Sequence, residues 1–151
     1  MKKILMIVAI GLMSFPMVAQ VSDDDQIYRR ADKMPVYQEC EDPAFVDHPY
    51  RCTIKQLMDF FKNSIEVENP LGMQTKGLLT FIVETDGSVS GVELQRPTIV
   101  NTGDESQDAA IEEFLNAAII EKAGELSFSE VGEHEGEIVR VSLQFSVPVN
   151  Y

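Results

Sequence analysis

The segment KGLLTFIVETDGSVSGVELQRP, residues 76–97, decides the fold class of this chain. Its first half predicts a strand with rather apolar side chains on both faces, and its second half, residues 88–96, predicts the strand that returns beside it. Asp86-Gly87 lies between them as a strong hairpin signal, because glycine adopts positive φ at no steric cost. Gly91 inside the return strand indicates a bulge or a close backbone approach.

The end of the chain predicts a third strand at residues 138–149, because its side chains alternate strictly between apolar and polar. The apolar face consists of Val139, Val141, Leu143, Phe145 and Val147. The polar face consists of Arg140, Ser142, Gln144 and Ser146. Such alternation is typical of an antiparallel strand with one face on the core. Pro148 indicates that part of this strand lies at a sheet edge, since proline has no N–H for a central ladder.

Two amphipathic helices complete the predicted elements. Thr53 and Gln56 have the spacing of a capping box, so the first helix is predicted to begin at Thr53. The second helix is predicted over residues 107–122, with Ser106 or Asp104 as its N-cap. The order helix, strand, strand, helix, strand predicts an α+β fold in which two helices pack on a small three-stranded antiparallel sheet.

The N-terminus has the pattern of a secretory signal peptide, in which Lys2 and Lys3 precede an apolar run at residues 4–18. A membrane-spanning helix needs about 20 apolar residues, so this run is short for a span. Cleavage is predicted after Ala19, with Gln20 as the alternative, which predicts a periplasmic mature protein. An uncleaved anchor in the inner membrane is the competing interpretation.

The chain is accordingly divided into a signal peptide at 1–20, a flexible acidic leader at 21–33 and one folded domain at 34–151.

The net charge of −13, from 25 acidic and 12 basic residues, repels phosphate backbones and excludes a nucleic-acid partner. The chain contains 2 histidines and 2 cysteines, too few for a multi-ligand metal site. Neither a metal nor another cofactor is therefore expected.

Cys40 and Cys52 are predicted to form a disulfide in an exported chain, because a lone cysteine pair in an oxidising compartment is usually bonded. Two buried free thiols are the alternative. The spacing of the two cysteines differs from C-x-x-C, which argues against a redox role for the pair. Closing a loop of this length is expected to stabilise the fold by about 2–4 kcal/mol.

The sequence offers little for catalysis. His48 lies in the cysteine loop and His134 lies in an acidic connector, and neither belongs to a recognisable nucleophile motif. Acidic runs are typical of solvated surfaces. The expectation is a protein that is not an enzyme and has no catalytic residues, with a small secreted hydrolase as the remaining enzymatic alternative.

Several segments together resemble the C-terminal domain of TonB-like energy transducers, in the cysteine-bearing form common in Bacteroidetes. These segments span about residues 34–151. In chain order they are MPVYQECEDP, RC, LMDFFKNSIEVENP, KGLLTFIVETDGSVSGVELQRP, DAAIEEFLNAA and VSLQFSVPVNY. The chain departs from the family at Asn69, where the family often has tyrosine before proline, and at Phe128, where it often has tryptophan. It also lacks the long proline-rich spacer of a full transducer.

The resemblance implies a binding module, linked to TonB-dependent transmembrane transport, that captures a segment of an outer-membrane receptor or another envelope protein by β-strand addition. The implied edge is the strand at 138–149 with its outward side chains. These are Arg140, Ser142, Gln144 and Ser146. A solvated sheet face without a ligand is the alternative for these side chains. The same edge could pair with a second copy to form a homodimer. A membrane-anchored energy transducer with an uncleaved N-terminal helix is the other functional alternative.

Overall fold

The computed structural model describes residues 26–151 and shows an α+β fold with two helices and a five-stranded sheet. The strands are β1 (Ile27–Tyr28), β2 (Gln74–Val83), β3 (Val89–Arg96), β4 (Gly132–His134) and β5 (Glu137–Asn150). The helices are α1 (Pro49–Ser64) and α2 (Glu105–Gly124). The predicted signal peptide at 1–20, with Ala19 and Gln20 at its cleavage site, lies outside the described residues.

The sheet has the strand order β1-β5-β2-β3, and β4 pairs with β5 outside this path. β2 is antiparallel to both β3 and β5, whereas β1 runs parallel to β5. The three predicted strands are therefore present, but the prediction of a three-stranded sheet was wrong. β1 has two residues and β4 has three, which is too short for an alternating pattern to indicate a strand.

The β2–β3 hairpin turns at the predicted Asp86-Gly87. Gly87 has a φ of +85°, and a Cβ at this position would lie 2.7 Å from the Phe128 carbonyl oxygen. The turn therefore needs glycine both for its backbone conformation and for its close approach to a neighbouring segment. Gly91 has a φ of +57° and lies where the register between β2 and β3 shifts, which confirms the predicted bulge.

Helix α1 begins at Pro49, earlier than predicted. Proline is tolerated in the first turn of a helix because the N–H that it lacks has no partner there. The predicted capping box was wrong, since His48 is the N-cap and Thr53 is buried within the helix. The Thr53 hydroxyl accepts a hydrogen bond from the Tyr37 N–H at 3.2 Å, and so fastens the segment before the cysteine loop to the helix.

Helix α2 begins with one of its two predicted caps. The Asp104 carboxylate accepts hydrogen bonds from the N–H groups of Ser106 and Gln107. Leu115 of α2 is fully buried, but the neighbouring Phe114 is 48% exposed. Ile120 is 45% exposed as well, so two large apolar side chains of α2 remain at the surface of the domain.

The core lies between the two helices and one face of the sheet. α1 packs on β5, and α2 packs on β3. Phe81 of β2 is at its centre, with its ring centroid 6.0 Å from those of Phe128 and Phe145. Phe61 of α1 extends the aromatic cluster to the helix layer, at 6.1 Å from Phe145.

Residues 26–33, which belong to the predicted leader, lie against β5 and β4. β1 pairs with β5 at Arg140 and Val141. Lys33 exchanges two backbone hydrogen bonds with Glu133, at 2.9 and 3.0 Å, and its ammonium lies 2.9 Å from the same residue's carboxylate. Neither helix within residues 26–151 has the length and apolar character of a membrane span.

Candidate functional site

The candidate site is the long edge of β5 that faces away from β2. Tyr151 and Met73 exchange two backbone hydrogen bonds, and the register from there to Val141 is unbroken. In an antiparallel ladder, alternate residues direct their N–H and C=O groups to the same neighbour. The odd-numbered residues of β5 therefore bond to β2, and the even-numbered ones direct their backbone groups to the opposite edge, which we call the outer edge.

The outer edge is only partly covered. β1 pairs with it at Arg140 and Val141 and then ends, so Ser142 lies at the margin of this pairing. Beyond that margin, Gln144 and Ser146 have no partner strand on their outward side within residues 26–151. Pro148 follows at the next outward position. An N–H at this position would point away from β2, so the N–H that proline lacks costs no ladder bond to β2. Pro148 thus marks the edge, as the sequence predicted.

The polar face beside this edge carries a cavity of about 290 Å³. Ser142 and Gln144 line it together with Arg29 and Tyr50, which come from the segment after β1 and from the first turn of α1. Gln144 also donates to the Thr80 hydroxyl at 3.2 Å. Arg29 and Tyr50 were not predicted as site residues, because only the tertiary fold brings them to β5.

Arg140 has a different environment from the other three predicted edge residues. Its backbone pairs with Ile27 of β1. Its guanidinium donates to both carboxylate oxygens of Glu84, with Nε at 2.7 Å and Nη2 at 2.9 Å. The structure therefore places Ser142, Gln144 and Ser146 together on the polar face of one strand. Arg140 instead connects the start of β5 to the residue that follows β2.

This ion pair predicts a component of acid sensitivity. The hydrogen bonds from Arg140, and then from Ser90, hold the pKa of Glu84 below its ordinary value of 4.5. A carboxyl group with a lowered folded-state pKa stabilises the fold above its ordinary pKa and loses that contribution as pH falls through the lowered value. Glu84→Gln should therefore lower the melting temperature at pH 7, and this difference should shrink below pH 4.5.

Thermal melts of both proteins from pH 7 to pH 3 measure this effect, with the exposed Glu137→Gln as the control for loss of a charge. A difference between wild type and Glu84→Gln that stays constant down to pH 3 contradicts the assignment.

The cysteine pair is joined as predicted. Cys40 and Cys52 form a disulfide with a Cα–Cα distance of 6.0 Å, within the usual range. Cys52 is buried in α1, whereas the loop that carries Cys40 is largely exposed. The bond therefore fixes an irregular surface loop to a helix of the core.

Replacing both cysteines with alanine is expected to lower the free energy of unfolding by about 2–4 kcal/mol, because the unfolded chain regains the freedom that the closed loop removes. Urea denaturation of the variant and of oxidised and reduced wild type measures the loss. Reduced wild type is the matched comparison, since it keeps both side chains. Equal stability of the oxidised and reduced proteins contradicts the stapling role of the disulfide.

The two histidines lie apart from the outer edge of β5. His134 contacts the Tyr28 ring, with centroids 4.8 Å apart, and its Nδ1 lies 3.3 Å from the Asp32 carboxylate. The His48 carbonyl accepts a hydrogen bond from the Cys52 N–H at the start of α1. His134 therefore packs against β1, whereas His48 is exposed and takes part through its backbone.

Comparisons of the chain with protein-family models, with curated proteins and with solved structures found no match. The geometry of the β5 edge therefore carries the functional conclusion.

Proposed function

We propose that this chain is an exported binding module that captures an extended segment of an envelope protein at the outer edge of β5. The observation that carries the proposal is that Gln144 and Ser146 direct backbone groups outward with no strand beside them within residues 26–151. An incoming strand would make ladder hydrogen bonds to these groups, each contributing about 0.5–1.5 kcal/mol net. This is the β-strand addition that the resemblance to TonB C-terminal domains implies.

The side chains beside the edge support selective capture. Tyr50 from the first turn of α1 lines the cavity together with Ser142 and Gln144. A captured strand would place alternate side chains over this cavity, where a phenol ring, a hydroxyl and an amide can contact them.

A periplasmic location and a role in TonB-dependent transport belong to the same proposal. The disulfide between Cys40 and Cys52 supports an oxidising compartment, since such bonds are rare in the cytosol. The signal-peptide pattern at 1–20 supports export. The module then acts by binding rather than catalysis, and its partner is an outer-membrane receptor or another envelope protein.

Photo-crosslinking in living cells tests this function and identifies the partner in the same experiment. A photoreactive amino acid at Gln144 should join the module to an envelope protein through an extended segment, which mass spectrometry of the product identifies. The same amino acid at the exposed Glu93 on β3, the opposite edge strand, is the matched control.

The outcome expected from the proposal is a Gln144 product that the Glu93 position does not give. Equal products from both positions contradict edge capture, as does the absence of any Gln144 product. A Gln144 product that contains only a second copy of this chain assigns the edge to self-association and overturns the proposed partner class.

A further inference from the structure

A second surface lies on α2 and is separate from the cavity beside the outer edge of β5. The sheet order places β3, on which α2 packs, farthest from β1. A groove of about 460 Å³ runs between the segment after α1 and the first half of α2. Its apolar lining consists mainly of Val67, Ala110, Ile111 and Phe114.

The core of this domain accounts for only part of the apolar lining, since Val67 and Ile111 pack against it and Phe114 does not. Phe114 is 48% exposed, while the next residue on the helix, Leu115, is fully buried. The lining residues of α2 form one ridge, because they follow one another at three- or four-residue spacing. They are Gln107, Ala110, Ile111 and Phe114. A ridge of this kind accepts the side chains of another helix that lies along it.

The rim of the groove is acidic. Glu66 and Glu68 line one wall, and both are exposed. Neither carboxylate has an ion-pair partner within residues 26–151. Glu112 differs, because its carboxylate accepts a hydrogen bond from the Val100 N–H at 2.8 Å. The unpaired rim charges favour a basic occupant.

We propose that this groove binds a cationic amphipathic helix of a partner protein. The apolar face of the helix lies on Phe114, Ile111 and Val67, and its lysine or arginine side chains reach Glu66 and Glu68. This arrangement is the helix-in-groove mode of recognition, with an apolar floor for affinity and a charged rim for orientation. The groove shares no lining residue with the cavity beside the β5 edge, so both surfaces can be occupied at once.

The test uses an amphipathic leucine–lysine peptide of about 18 residues, long enough to hold a helix once bound, and the chain as purified from its own cells. Backbone NMR shifts should change at Val67, Ala110, Ile111 and Phe114. Phe114→Ser should weaken binding at least about tenfold, as expected for a central apolar anchor. Glu66→Gln with Glu68→Gln should weaken it about threefold at low salt and less at high salt.

Glu130→Gln with Glu137→Gln is the matched control, because it removes two exposed charges outside the groove. Equal weakening by both charge variants overturns the proposal, since it shows attraction to the net charge alone. Unchanged binding in a folded Phe114→Ser variant overturns it as well. A change from dimer to monomer on Phe114→Ser in sedimentation assigns the groove to a second copy and also overturns it.

Discussion

Proline in place of Gln144 is expected to weaken capture of a partner strand at least about tenfold while the domain stays folded. The Gln144 N–H points to the outer edge, so its removal breaks no bond to β2. It does remove one of the donors that an incoming strand requires, and the proline ring obstructs close approach. Loss of one hydrogen bond together with this obstruction is worth about 1.4 kcal/mol or more, a factor of about ten.

The measurement is the yield and affinity of the partner identified by crosslinking, with Gln144→Ala as the matched control. Alanine removes the same side chain but keeps the N–H, so it should bind nearly as well as wild type. Thermal melts establish that both variants are folded. Equal binding by folded Gln144→Pro and Gln144→Ala contradicts capture through the backbone of β5.

Phe81→Ala is expected to lower the free energy of unfolding by about 3–5 kcal/mol, at least as much as removal of the disulfide. Phe81 is fully buried on β2 and contacts the rings of Phe128 and Phe145. Alanine leaves a cavity where the hairpin, the connector after α2 and β5 meet. Such a loss is a large part of the stability of an ordinary domain.

Urea denaturation measures this effect, and Phe114→Ala is the matched control because it removes the same ring from a half-exposed position. The control should cost much less than Phe81→Ala. Similar losses at the two positions contradict the assignment of Phe81 to the centre of the core.

The elements that the sequence predicted well are those whose signals are local. The β2–β3 hairpin follows from Asp86-Gly87, and the bulge follows from Gly91. The buried and exposed faces of β5 follow from strict alternation over its length. Pro148 indicated an edge because its missing N–H is tolerated only where no ladder bond is needed.

The remaining features depend on contacts between residues distant in sequence. β1 forms only because β5 offers a free edge beside it, and two residues carry no pattern of their own. Thr53 fits a capping box by spacing, but its hydroxyl meets the Tyr37 N–H across the cysteine loop. Arg29 and Tyr50 reach the candidate site from separate elements, so no motif in the sequence connects them with Gln144.

Residue-resolved hydrogen exchange by NMR tests most directly whether β5 presents an open outer edge. In the free protein, the amides of Gln144 and Ser146 should exchange orders of magnitude faster than those of Leu143, Phe145 and Val147, which bond to β2. Binding of the captured partner should then slow exchange at Gln144 and Ser146 alone. Equal protection of all five amides in the free protein would show that the outer edge is already covered, and would contradict its role as the capture site.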